Sequence, residues 1–198
     1  MVFVGFSTPR RWNPLSWLIR VGTRSRASHA WLLVEDPLFK LRLVLEAHST
    51  GFRLVTLARF ARDNTVVAIA TPAHPLDPGL PQAGGWLGER FDTAGIIGMA
   101  WVVARRFFHL SPGRNPFRST QALFCSESVV RTLKAAGYPG AEGLVDEEET
   151  PADVLAFLRA SGSEVLERAQ LNLAPRRLLR GTPPAPGAAP GRSSDRAA

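Results

Sequence analysis

Two apolar runs, Ser28 to Glu35 (SHAWLLVE) and Leu41 to Ala47 (LRLVLEA), are separated by only five residues, Asp-Pro-Leu-Phe-Lys. Runs of this kind with a connection that short predict an antiparallel hairpin. In such a hairpin the end of the second strand returns to the beginning of the first, so Glu46 comes close to His29. That pairing constrains both the fold and the chemistry open to the chain.

Further short elements surround it. Val2 to Phe6 and Thr65 to Ala70 read as buried strands, the first ended by Ser-Thr-Pro and the second by Thr-Pro. Asn13 is a helix cap, Pro14 suits the first helical position, and Leu15, Leu18 and Ile19 fall on one face of the helix that follows. A Pro/Gly-rich approach, Pro75 to Gly88, leads into an apolar segment, Ala94 to Ala104, read as a helix. Ser126 to Ala136 carries Val129, Val130 and Leu133 at helical spacing and stops at Gly137. Thr150-Pro151-Ala152-Asp153 has a cap, a first-turn proline and an acid three residues after the cap, which opens a helix from Pro151 to Ala160. The acidic run before it, Asp146 to Glu149, reads as a solvated face that favours the positive end of that helix. The expected class is α+β, with one domain over residues 1–180. The stretch 181–198 (GTPPAPGAAPGRSSDRAA) has no large apolar residue to bury and is expected to be a disordered tail.

The 198 residues are 45% hydrophobic, enough for a sizeable core, and include one cysteine. A disulfide scaffold and a four-thiolate zinc module are therefore excluded. The formal charge is +7, but 22 of the 24 basic residues are Arg and no basic run exceeds two residues. Without a concentrated stripe, nucleic acid is not the expected partner. Met1 to Pro9 lacks the basic start of a signal peptide, and the longest uncharged runs, Asn64 to Leu76 and Thr93 to Ala104, are shorter than the roughly 20 residues of a bilayer span. The cytoplasm is the expected compartment.

Cys125 is either an apolar filler or a reactive thiol. It sits at the start of a helix, where unpaired N–H groups favour a thiolate, and its own N–H is placed to help hold an oxyanion. Glu127 opposes that field unless it points away. His29 is the candidate base, and Glu46 the carboxylate that would set its tautomer. His48, two residues on and on the same strand face, is the alternative third member. Gln121 is a candidate oxyanion donor. Taken singly, each residue has an ordinary structural explanation as packing or surface.

Together they carry a resemblance. The strings SHAWLLVE, VLEAHSTGF, RFDTAGIIG and FCSESVV, in that order and spacing, resemble the circularly permuted papain-like amidases of the NlpC superfamily, the YiiX/YaeF-like branch. Ser28-His29, Val44-Leu45-Glu46-Ala47 and Cys125-Ser126-Glu127 match that branch's three catalytic contexts, and Phe91-Asp92 looks like its aromatic-Asp pair. Ordinary papain-like enzymes run Cys first and His later, whereas this chain runs His, Glu, Cys. The resemblance implies a permuted papain-like fold, an antiparallel sheet packed against a helix whose N-terminus carries the Cys. It also implies a cysteine amidase or peptidase with Cys125 as nucleophile, His29 as base and Glu46 as its orienter. Its substrate would be a peptide, an amide or another acyl compound, with cell-wall peptides and lipids included. Such a reaction needs no metal and no organic cofactor. Two rival readings are a lipid-directed acyltransferase or lipase resembling lecithin retinol acyltransferase, and a non-catalytic binding module with a papain-like cleft. In the former, Ala94 to Ala104 with Arg105-Arg106 and Phe107-Phe108 would make a peripheral membrane contact.

Overall fold

The computed structural model describes residues 1–38, 40–89, 124–146 and 148–169. The expected helix at 94–104, residues 105–108, the Phe91-Asp92 pair, Gln121 and the expected tail at 181–198 lie outside the described residues.

Within them the chain is α+β, built on a six-stranded antiparallel sheet. Strand β1 (Val2–Pro9) is followed by helix α1 (Pro14–Gly22), β2 (His29–Asp36), β3 (Leu41–His48), β4 (Gly51–Thr56), α2 (Leu57–Asp63), β5 (Asn64–Thr71) and α3 (Leu80–Gly85). Next come α4 (Cys125–Ala135), α5 (Pro151–Ala160) and β6 (Glu164–Glu167). The spatial order of strands is β4-β3-β2-β1-β5-β6.

The predicted hairpin is β2 and β3, paired from Asp36↔Leu41 to Leu32↔Leu45. Strand β1 runs further than Val2 to Phe6 because it lies between β2 and β5, and Ser7, Thr8 and Pro9 still find partners there, in Ser7↔His29, Thr8↔Thr65 and Pro9↔Asn64. Buried on both sides, it reads as a continuous apolar run rather than an alternation. Ser7 is tolerated in that run because its Oγ accepts the indole N–H of Trp31 at 3.2 Å.

The helix signals act through their caps. Asn13 accepts the Ser16 N–H at 2.9 Å, with Pro14 behind it. Thr150 accepts the Asp153 N–H, and Asp153 in return accepts the Thr150 N–H at 2.9 Å, a reciprocal box at the head of α5. Helix α4 begins one residue earlier than the sequence predicts, and Gly137 follows its end with φ +64°. The acidic run is partly engaged rather than a freely solvated face. Asp146 is bound by Lys134 and by Arg131 Nε at 3.4 Å, which ties the loop back to α4.

Four elements lie outside the sequence expectations. Strand β4 returns from β3 through the two residues Ser49 and Thr50, with Gly51 at φ +125°. A side chain at Gly51 would also press on the Glu89 carbonyl, 2.6 Å from an ideal Cβ. Helix α2 starts on the Thr56 cap. Helix α3 forms where only a Pro/Gly-rich approach is expected, with Pro81 in the first turn, where its missing N–H costs nothing. Strand β6 adds four residues to the β5 edge.

The two faces of the sheet bury different cores. On one, Val4, Phe6, Leu32 and Leu45 pack with Val129, Val130 and Leu133 of α4 and with Val154 and Leu158 of α5. On the other, Phe3, Trp31, Leu33, Val44 and Ile69 pack with Phe60 of α2, whose ring centroid lies 4.7 Å from that of Trp31. No described helix is long and apolar enough to cross a membrane.

Gly5 stands opposite Trp31 in the β1–β2 ladder, and a Cβ there would lie inside the van der Waals radius of the indole ring. Trp31 is fully buried and held by its bond to Ser7, so it has little freedom to withdraw. Gly5→Ala is expected to lower stability by about 1–3 kcal/mol, the cost of overpacking a filled core. A urea-denaturation midpoint equal to that of the wild type would contradict this packing.

Candidate active site

The apolar stripe of α4 lays the helix against β2 and β3 and carries its first residue, Cys125, to the open end of the hairpin. The β2–β3 ladder stops at Leu32↔Leu45, short of His29 and Glu46, while β2 stays paired to β1 as far as Ser7↔His29. Beyond the end of that ladder the Ala30 N–H serves the sulfur of Cys125 instead of a strand, and the Ser126 N–H of the first helical turn also donates to it.

His29 bridges the two remaining groups. Its Nε2 lies 2.9 Å from Glu46 Oε2, and its side chain is hydrogen-bonded to Cys125, for which Nδ1 is the nitrogen left. Burial pushes the imidazole down, but the bonds and charges of Cys125 and Glu46 outweigh it and raise its pKa to about 10. Burial likewise pushes the Cys125 thiol up, and there the hydrogen bond and charge of His29, with the two backbone N–H groups, prevail and bring it below its ordinary value. The opposed shifts both favour the thiolate–imidazolium form of the pair over the neutral thiol and imidazole.

Glu46 is 1% exposed, which for a lone carboxylate would be costly. Three charge-assisted bonds offset that cost. Besides His29 at Oε2, Arg53 donates to Oε1 from Nε at 2.9 Å and from Nη2 at 2.6 Å. Burial raises the Glu46 pKa, and the bonds and charges of His29 and Arg53 more than reverse it, so the net shift is downward.

The structure thus brings His29, Glu46 and Cys125 together. His48 is bonded within the β3–β4 turn instead, its Nδ1 lying 3.0 Å from Thr50 Oγ1 and accepting the Thr50 N–H at 3.3 Å. Burial and the nearby Arg53 charge lower its pKa. Glu127 does not point into solvent. It is buried, held by Arg131 Nη2 at 2.6 Å, and accepts the Phe124 N–H at 3.4 Å, so its charge is met by a cation and by the helix start.

Arg53 is the residue that the sequence reading missed. Its signal was the Ser-Thr-Gly turn after His48, since a two-residue turn there sets Arg53 opposite Glu46. The open Ala30 N–H carries no residue-type signal at all.

No protein-family model matches the chain, and no curated protein matches it.

Removing Arg53 takes two of the three bonds from Glu46. With the guanidinium about one-third exposed, Arg53→Met is expected to cost on the order of 1–2 kcal/mol near neutral pH. Because the folded-state pKa of Glu46 is depressed, its contribution is complete above the unfolded value of roughly 4.3 and is lost as pH falls through the folded value. The stability gap between wild type and variant, read by urea titration, should therefore close as the pH is lowered. A gap that widens in acid would refute this role for Arg53.

Proposed function

We propose that the chain is a thiol hydrolase, an amidase or peptidase, that works through a Cys125-His29-Glu46 triad and an acyl-enzyme. The observation that carries this reading is His29, held by a buried carboxylate at one ring nitrogen and by the helix-start thiol at the other. The chain order His, Glu, Cys and the Cys-bearing helix against an antiparallel sheet also support a circularly permuted papain-like fold of the NlpC type. The substrate class is peptides, amides and related acyl compounds.

The chemistry follows from the pair. The Cys125 sulfur bonds to the substrate carbonyl carbon, and the carbonyl electrons move to its oxygen, which the Cys125 N–H is placed to meet. Collapse of this intermediate breaks the C–N bond, and the leaving amine takes the proton from His29 Nδ1. The acyl group stays on sulfur as a thioester. Water then attacks, giving a proton to neutral His29, and the thioester opens to a carboxylic acid while thiolate and imidazolium are restored. Throughout, Glu46 keeps the ring in one orientation and balances its positive charge.

Because Cys125 is the only cysteine, its alkylation reports on the pair directly. In the wild type the pH dependence of iodoacetamide alkylation should rise below the roughly 8.5 of a free thiol. In His29→Ala it should move above that value, and the rate at pH 7 should fall about tenfold or more as the thiolate fraction returns to a few per cent or less. Equal profiles in the two proteins would sink the ion-pair mechanism.

Turnover adds a second limb. The kcat/KM of an activated ester such as p-nitrophenyl acetate should rise with the thiolate and fall again near pH 10, where His29 loses the proton that the pair requires. Mass spectrometry should find the acetyl group on Cys125, and none in Cys125→Ser. Acetylation of Cys125 that is unchanged in His29→Ala would overturn the assignment.

A further inference from the structure

Arginine dominates the basic residues, and five of these side chains converge away from the triad. Arg20 of α1, Arg24 and Arg26 of the loop leading to His29, Arg159 at the end of α5 and Arg168 after β6 line one cleft of about 670 Å³. Among the described residues the only acidic side chain lining it is Glu167, which Arg159 binds. Among the described residues none of the other four arginines has a carboxylate partner.

Five guanidinium groups around one space repel one another unless an anion screens them. The more telling detail is Arg20, whose Nε–H is buried and has no hydrogen-bond acceptor. A buried charged donor without a partner is costly and rare in native proteins. No acceptor for it stands among the described residues, and Arg20 is one of the side chains that line the cleft.

We propose that this cleft binds an organic phosphate, its phosphoryl oxygens held by Arg20, Arg24 and Arg26. A guanidinium presents its donors as a planar fork that matches phosphate oxygens two at a time, and several such forks suit a group that carries more than one negative charge. The volume lies in the range of clefts that take a whole small molecule, so there is room for the organic part as well. Val67 and Leu155 supply an apolar wall for it. The phosphate is either that of a soluble ester or that of a lipid headgroup. Trp12 and Trp17 are exposed close to Arg10 and Arg11 in sequence, which makes the lipid source worth a direct arm of the test. The site is separate from the Cys125 chemistry and stands whether or not that chemistry is right.

The test uses the full chain with inorganic pyrophosphate as probe, followed by calorimetry. Wild type should bind it saturably. Arg20→Gln should weaken binding roughly tenfold, about the cost of one charge-assisted bond. The double variant Arg24→Gln/Arg26→Gln changes only exposed side chains, so it keeps the test open if Arg20→Gln does not fold, and it should weaken binding at least as much. Arg62→Gln, on α2 and outside the cleft, should bind as the wild type does. Co-sedimentation with phosphatidylcholine vesicles, with and without phosphatidic acid, separates the sources. Sedimentation that needs phosphatidic acid and is competed by pyrophosphate assigns a lipid headgroup, whereas pyrophosphate binding without sedimentation assigns a soluble ester. Absence of saturable binding, or binding equally strong in the cleft variants, would overturn the proposal.

Discussion

The Glu46 carboxylate is buried between two strands and has to be fully bonded where it stands. An isolated carboxylate in that position would take up a proton or prevent the strand from packing. What keeps it charged is the register of two ladders. The β3–β4 register sets Arg53 opposite it, and the early end of the β2–β3 ladder leaves His29 free to reach it from the other side. A slip of β3 by one residue would turn Glu46 to the opposite face of the sheet and separate it from both partners. The arrangement that holds the sheet in register is thus the arrangement that fixes the imidazole.

The same opening of the ladder governs the sulfur. Had β2 and β3 stayed paired to the end, their register would have set His29 against His48 and engaged the strand backbone around Ala30. Instead the strands part, α4 brings Cys125 to the gap, and the Ala30 N–H donates to sulfur. Both ring nitrogens of His29 are then committed, one to an acid that gives up its proton readily and one to a thiol. Each neighbour favours the charged imidazolium, which explains why burial fails to lower its pKa.

Much of this was legible in the sequence where the signal is local. The β2–β3 hairpin rests on two apolar runs and a five-residue connection, α1 on Asn13 and Pro14, and α5 on Thr150 with Asp153. The proximity of His29 and Glu46 followed from that hairpin alone. Elements escaped where the local pattern is weak. In β4, Gly51–Thr56, exposed and buried positions do not alternate cleanly, α2 spans only seven residues, and β6 has four. Losing β4 meant losing Arg53, although Ser49, Thr50 and Gly51 spelled out the turn. Strand parity could not choose between Glu46 and His48, because both lie on one face; the point at which the ladder ends makes the choice, and that is a property of the packed sheet.

The excess of arginine reads differently in three dimensions than along the chain. In sequence its members are scattered, with no run longer than two, and a scattered charge predicts only solubility and weak steering. Folding gathers Arg20, Arg24 and Arg26 with Arg159 and Arg168, although some 150 residues separate the first from the last. The loop that supplies Arg24 and Arg26 runs directly into His29, and the hydroxyl of Ser28 within it is bonded to Ser16 of α1 at 2.6 Å. The cleft and the strand that carries His29 are thus joined by one short, hydrogen-bonded stretch of backbone.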